Sequence, residues 1–256
     1  MNEVLLEAAN LSRYYPLKNG HRTAAVEDVS FSVRKGECLG IIGESGSGKT
    51  TLAQMIAGLL PPSGGSIALD GQPVHADRPG ELRLLFRKMQ MVFQDPTASF
   101  DPRKTLGYGI AEPLRNGGLS KAEAGKAVKE LLLRCSLPAE IGARYPHQVS
   151  GGQCQRAAIA RAIAVRPQLL ICDEATSALD MTVQKQILDL LLRIRQEDGL
   201  TILFISHDIA LVRQFCDRIL VMHRGRIVEE GVPGEIIARP VSAYTEKLIS
   251  SVLYSD

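Results

Sequence analysis

Hydrophobic positions along the chain follow two periods that alternate. Val4-Leu5-Leu6-Glu7-Ala8 opens as a strand, and Val26 to Val33 alternates apolar and polar residues up to a Lys35-Gly36 turn. Cys38 to Ile42 is an unbroken apolar run, the pattern of a strand covered on both faces of a parallel sheet. Leu52, Met55, Ile56 and Leu59 then recur at helical spacing until Pro61-Pro62-Ser63-Gly64-Gly65 stops them, and Ile67 to Leu69 reads as a short strand. From about residue 95 to 165 the character changes. Turn signals at Asp95-Pro96 and Asp101-Pro102 give way to a helix over Lys121–Cys135 and another over Gln153–Val165, ended by Pro167. Strands return at Leu169–Cys172 and Thr201–Ser206. Between them Ile187, Leu190, Leu191 and Ile194 form an amphipathic helix closed by Asp198-Gly199. Residues 218–230 read as a hairpin turning on Arg224-Gly225, and the chain finishes in a helical tail. Strand–helix alternation at both ends predicts an α/β protein with one parallel-sheet core, interrupted by a helical middle.

Composition narrows the class. The 256 residues are 45% hydrophobic and 23% charged, which is ordinary globular usage and argues against disorder. Thirty basic and 28 acidic residues leave a net charge of +2, too balanced for an electrostatic nucleic-acid footprint. Thr50 to Leu69 lacks Asp, Glu, Lys and Arg, but its prolines and glycines are incompatible with a membrane-spanning helix. The start at Asn2-Glu3 carries no basic and apolar leader pattern. The cysteines (38, 135, 154, 172 and 216) form no C-x-x-C pair, so a zinc site or disulfide framework is not expected, and a reducing cytosol is.

Chemistry enters at Gly43-Glu44-Ser45-Gly46-Ser47-Gly48-Lys49-Thr50, a complete G-x-x-x-x-G-K-[ST] pattern. It lies where a phosphate loop belongs, after a buried strand and before an apolar helix. Glycines let successive amides turn inward toward phosphate oxygens, and the helix that follows adds its partial positive charge. Lys49 would supply a cation to the outer phosphates, and the Thr50 hydroxyl can ligate Mg²⁺. The other half of such a site is an acidic residue ending another buried strand. Leu169-Leu170-Ile171-Cys172-Asp173-Glu174 provides Asp173 for the metal and Glu174 to polarise an attacking water.

Ser150-Gly151-Gly152-Gln153 could by itself be a surface turn capping a helix. Followed by Asp173-Glu174, then Ser177-Ala178-Leu179-Asp180, then Ser206-His207-Asp208, it closely resembles the ATP-binding cassette ATPases, over about residues 3 to 245. The resemblance implies a RecA-like P-loop core with an antiparallel β subdomain. Residues 1–94 and 166–230 would form this core, 95–165 an inserted helical subdomain, and 231–256 a C-terminal tail. It also implies roles. Tyr15 would stack on adenine, with Tyr14 the near alternative. Residues Gly43 to Thr50, with Thr51, would bind ATP. Gln94, in Val92-Phe93-Gln94-Asp95-Pro96, would join the metal and the attacking water. Ser150 to Gln153 would contact the γ-phosphate held by a second subunit, Asp180 would lie on the loop crossing between subunits, and His207 would contact the γ-phosphate. Mg²⁺ is the implied cofactor, with Thr50, Gln94 and Asp173 as its ligands. Val149, where Leu is usual, and Cys154, where a polar residue is common, are the departures. Neither removes a phosphate-binding group.

Glu44 within the phosphate loop, Asp101-Pro102-Arg103-Lys104, Arg144-Tyr145-Pro146-His147-Gln148 and Tyr244-Thr245 are similar to the dipeptide, oligopeptide and nickel uptake branch. Many members there carry a cysteine-bearing C-terminal extension, so ending at Asp256 resembles the short, nickel-type subunits. The resemblance then implies an importer working at the cytoplasmic face of the inner membrane. Its parts would be a second ATPase (identical or homologous), two transmembrane permeases and an extracytoplasmic binding protein, with no nucleic acid. Cargo stays open between nickel and peptides, as does transport of another substrate. DNA-repair ATPases share the nucleotide motifs but need coiled-coil or zinc insertions, and a small-molecule kinase would leave Ser150–Gln153 and His207 idle.

Overall fold

The structure is a computed structural model that describes residues 3–16, 21–75, 78–177 and 179–253. Three features of the sequence reading lie outside those residues: Asn2, Ala178 of the Ser177–Asp180 motif, and the last residues of the tail. The chain divides into two compact units, one running to Leu85 and resuming at Thr201, the other from Phe86 to Leu200.

The first unit opens with two long strands, β1 (Val4–Pro16) and β2 (Arg22–Arg34), paired antiparallel. Val29, Phe31 and Val33 alternate inward along β2 and pair with Leu11, Ala8 and Leu6 of β1 in the core, and Val26 is buried beyond a shift in the strand register. β3 (Cys38–Ile42) is buried at every position. The phosphate-loop sequence follows, leading into α1 (Lys49–Ile56). This helix ends before Leu59, because Gly58 turns left-handed at φ 69° and leaves Leu59 49% exposed, so the apolar spacing overstates its length. β4 (Gly64–Leu69) and β5 (Gln72–Pro73) complete a sheet of order β2-β1-β4-β5. α2 (Pro79–Lys88) carries the chain into the second unit.

That unit begins with β6 (Met89–Val92) and then α3 (Leu106–Asn116), α4 (Lys121–Arg134) and α5 (Gly151–Ile163). Two short 3₁₀ turns, Ala139–Ala143 and Pro146–Gln148, connect the last two helices. β7 (Leu169–Asp173) pairs parallel to β6, Met89 opposite Leu169 and Val92 opposite Cys172, and α6 (Met181–Asp198) closes the unit. α3 packs on its surroundings at glycines: a Cβ on Gly107 would stand 2.7 Å from the Gly142 carbonyl oxygen, and one on Gly109 2.7 Å from the Phe100 ring.

Back in the first unit come β8 (Thr201–Ile205), α7 (Ile209–Phe215), β9 (Arg218–His223), β10 (Arg226–Gly231), α8 (Pro233–Ala238) and α9 (Ala243–Leu253). β3 lies between β8 and β9 and is parallel to both, while β10 returns antiparallel to β9. Arg224-Gly225 makes the turn of that hairpin, as its sequence predicts. Gly40, in the middle of β3, leaves room for α7. A Cβ there would meet Val212 at 2.7 Å.

Candidate nucleotide site

In the first unit the phosphate-loop residues hang between β3 and α1, and the loop is shaped by what surrounds it. Gly43 and Gly48 both have positive φ, and a Cβ on either would stand 2.2 Å from the Met222 carbonyl oxygen or 2.1 Å from that of Ala25. Only glycine fits there. Gly46 is also left-handed, at φ 80°, but faces open space. The loop is closed on itself by Ser47 N–H donating to Glu44 C=O at 3.1 Å, and tied to the hairpin by Gly225 N–H donating to Ser47 C=O at 2.9 Å. Gly48 caps α1 with no side-chain hydrogen bond. Lys49, only 4% exposed, turns its ammonium inward. Its Nζ donates to the carbonyls of Gly43 at 2.7 Å and Glu44 at 2.9 Å and to Ser47 Oγ at 3.4 Å. Glu44, Ser45, Gly46 and Thr50 are exposed, and Thr51 is half-buried in the first turn of α1.

Two more candidates belong to this unit. Tyr15 sits near the end of β1 opposite Thr23, with the Arg13 guanidinium 5.1 Å over its ring, while Tyr14, opposite Ala24, is 37% exposed. His207 is exposed in the turn between β8 and α7. Its neighbours shape that turn. Asp208 N–H donates to Ser206 Oγ at 3.0 Å, and the Asp208 carboxylate caps α7 by accepting from the Ala210 and Leu211 amides at 2.8 and 3.1 Å.

The second unit holds the remaining candidates. Asp173 ends β7 and is 5% exposed. Glu174 follows with φ 48°, a left-handed conformation uncommon for a residue with a side chain. Its carbonyl accepts from Ser177 N–H at 3.1 Å and Ser177 Oγ at 3.0 Å, and Ser177 Oγ in turn accepts from Gln94 Nε2 at 3.3 Å. Gln94 is thereby joined to the loop that follows Asp173. The Gln184 amide donates to the Thr176 and Leu179 carbonyls at 3.0 and 3.1 Å, holding the same loop from α6. Asp180 caps α6 by accepting from Val183 N–H at 2.9 Å. Next to Gln94, Asp95 is held below the usual carboxylate range by the Thr97 hydroxyl and then the Ala98 amide.

Ser150 opens α5 with a full capping box. Its Oγ accepts from Gln153 N–H at 3.3 Å, and Gln153 Oε1 accepts from Ser150 N–H at 3.0 Å. A Cβ on Gly151 would lie at an ordinary 3.5 Å from Leu179, whereas one on Gly152 would strike Val183 at 2.5 Å. Gly152 therefore lets α5 approach α6. Cys154 is buried in the same helix, and burial pushes its thiol up to about 11. Sequence reasoning missed Ser177 as the link from Gln94 and Gln184 as the anchor of the loop, since neither position departs from ordinary helix or turn usage.

The family model described as ABC transporter matches residues 26–177, more than half of the chain. The chain belongs to the ABC transporter ATPases. It is 44% identical to a probable peptide ABC transporter ATP-binding protein of Sinorhizobium fredii, covering all of this chain and 74% of that one. It is 42% identical to the oligopeptide transport ATP-binding protein OppF of Escherichia coli, over 99% of this chain and 79% of that one. The glutathione import ATP-binding protein GsiA of Pectobacterium atrosepticum is 43% identical, and there the chain spans only 42% of the relative. Among solved structures, a dimeric post-hydrolysis state of the ATP-binding cassette MJ0796 bound to ADP and phosphate superposes with a TM-score of 0.82 at 31% identity, covering 90% of this chain and 99% of that one. Clostridium perfringens cbiO1, part of the cbiONQ transporter complex, gives 0.81 at 32%, covering 93% and 92%. The fold is the RecA-like P-loop α/β fold of ABC ATPases, and the chain is an ATP hydrolase serving as the ATP-binding component of an ABC transporter. Among the described residues no helix is long and apolar enough to cross a membrane.

Proposed function

We propose that this ABC ATPase energises peptide uptake, acting as the ATP-binding subunit of an importer at the cytoplasmic face of the membrane. The observation that carries the nucleotide half is the phosphate loop, whose Gly43 and Gly48 admit no side chain and whose Lys49 is turned inward over the loop carbonyls. The peptide half rests on the relatives, two of which are named for peptide or oligopeptide transport and one for glutathione import. The sequence left nickel and peptides open. These names favour the peptide class.

In this reading Gly43 to Thr51 hold the triphosphate, Lys49 balances the charge of its outer phosphates, and Tyr15 stacks on the base. Thr50, Asp173 and Gln94 offer hydroxyl, carboxylate and amide oxygens, hard donors that suit Mg²⁺. Bound there, Mg²⁺ would neutralise charge shared by the β- and γ-phosphates. Glu174 accepts a proton from water as its oxygen attacks the γ-phosphorus, the bond to the β-bridging oxygen breaks, and ADP leaves with that electron pair. Gln94 and His207 orient the water and the γ-phosphate. Ser150 to Gln153 and Asp180 serve the ATP held by a second ATPase subunit, so each site needs two chains. Residues 1–94 and 166–230 act as the nucleotide core and 95–165 as the signature subdomain that meets two permeases, with 231–256 as a tail. A binding protein outside the membrane delivers the cargo.

The test is uptake in vesicles carrying the assembled transporter. Radiolabelled peptide should accumulate with ATP, nickel should not, and Lys49→Ala should lower ATP turnover about 10² to 10³-fold. Wild-type turnover in Lys49→Ala would refute the nucleotide assignment, and nickel uptake without peptide uptake would refute the cargo. Glu174→Gln, which keeps the shape of the side chain but not its basicity, should still bind ATP and cease to hydrolyse it.

A further inference from the structure

Tyr244 belongs to a Tyr-Thr pair that the sequence marks only as a feature of one transporter branch, and none of the roles above uses it. Its hydroxyl reaches the phosphate loop. Glu44 N–H, in the first turn of the loop, donates to Tyr244 Oη at 3.0 Å. The tyrosine ring lies against His223, centroids 3.8 Å apart and planes 30° from parallel. The C-terminal part of the chain therefore supports the loop at three points. The Met222 carbonyl crowds Gly43, Gly225 N–H bonds the Ser47 carbonyl, and Tyr244 takes the Glu44 amide. The first two come from the β9–β10 hairpin. Only the third comes from α9.

The start of α9 is itself fastened. The Glu229 carboxylate on β10 accepts from Val241 N–H at 2.9 Å and Ser242 N–H at 3.0 Å, and Ser242 Oγ accepts from Tyr244 N–H at 3.3 Å. Burial works to raise the Glu229 carboxyl, but hydrogen bonding at the start of α9, the two amides included, outweighs it and holds it below its ordinary value. Thr245 is fully buried, and Leu248 and Ile249 anchor the helix beyond it. Tyr244 is thus presented to the loop by a held helix start, not by a free side chain. Partial burial raises its hydroxyl above the usual tyrosine value, so it stays neutral and an acceptor across the working pH range.

We propose that Tyr244 is a positioning residue for the phosphate loop, holding the Glu44 turn in its ATP-ready conformation and so setting how tightly ATP binds. The proposal rests on the nucleotide role given to residues 43–51. Its physical content is preorganisation: a loop already fixed loses less conformational freedom when its amides close on phosphates. The hydroxyl is bonded to loop backbone and enters no step of the chemistry, so its effect belongs in ATP affinity and not in the rate of hydrolysis.

The test is Tyr244→Phe in the full chain assembled with its transporter. One neutral hydrogen bond of this kind is worth about a three- to tenfold change in affinity. KM for ATP, and the Kd from displacement of a fluorescent ATP analogue, should rise by about that factor, with kcat within about twofold. Glu229→Ala, which loosens the start of α9 without touching the loop, should give the same split. The double variant should be no weaker than the weaker single, because both act through one contact. A wild-type KM in Tyr244→Phe, or a lower kcat at unchanged KM, overturns the proposal. Should Tyr244→Phe unfold, a wild-type KM in Glu229→Ala overturns it alone. Lys49→Ala run alongside separates the two failures. If Lys49→Ala keeps wild-type ATP binding, the phosphate-loop reading has failed. If it loses ATP while Tyr244→Phe matches wild type, only the tyrosine has.

Discussion

Two glycine-rich turns in this ATPase each lead into a helix, and they are built on opposite plans. The turn into α1 starts at Gly48, a left-handed cap that contributes no side chain to the helix end, and Gly43 and Gly48 are dictated by carbonyl oxygens of the surrounding strands. The turn into α5 starts at Ser150, whose capping box with Gln153 satisfies the helix end from within. A helix N-terminus without a side-chain cap presents all its amides and its dipole to a ligand, whereas a capping box takes up part of that capacity from within. The first turn is thus shaped for an anion by backbone alone. The second fixes its own helix start through side chains, leaving the exposed Ser150 and Gly151 for the partner-facing role proposed above.

Substitutions at these glycines test the contrast. Ala at Gly48 or Gly43 would put a methyl group 2.1 or 2.2 Å from a backbone oxygen and force a left-handed alanine. Each should cost about 3 kcal/mol of stability and abolish ATP binding together, read by thermal melting and nucleotide titration. Gly152→Ala meets Val183 at 2.5 Å, so about 1–3 kcal/mol should be lost and largely restored by a second change, Val183→Ala. If the second change restores nothing, the close approach of α5 to α6 is not what requires that glycine. Ser150→Ala removes the cap and should cost about 1 kcal/mol. Gly151→Ala has room, at 3.5 Å from Leu179, and should leave melting within about 0.5 kcal/mol of wild type while lowering ATP turnover of the assembled pair. Unchanged turnover in that variant would remove the contrast, since Gly151 would then serve neither packing nor the partner.

Legibility from sequence followed the same division. β3, β7 and β8 are uniform apolar runs and were readable to within a residue, as was the Arg224-Gly225 hairpin. α3 was not, because Gly107, Gly109 and Pro113 all argue against a helix. Those glycines are there for Gly142 and Phe100 to pack against, and tertiary contact overrides propensity. α7, only seven residues long, shows too few apolar positions for a period, and α2 and β6 run together without a breaker between them. Gly43 to Thr50, Ser150 to Gln153 and Asp173-Glu174 announced themselves because their chemistry is local in sequence. Ser177 reaching Gln94, and Tyr244 reaching Glu44, are long-range partnerships of unremarkable residues, and no local pattern encodes them.

The left-handed backbone at Glu174 sets heat tolerance against the proton-accepting role proposed for its carboxylate. Glycine adopts φ 48° without the clash a Cβ brings, so Glu174→Gly should raise the stability of the folded chain by up to about 1 kcal/mol, visible as a higher melting temperature. The same change deletes the carboxylate proposed to take the proton from water. A library of variants screened for survival on heating would therefore enrich glycine, or asparagine, at position 174 and return proteins that are sturdier and inert. Any screen for a more robust form of this ATPase has to count phosphate released, not protein left in solution.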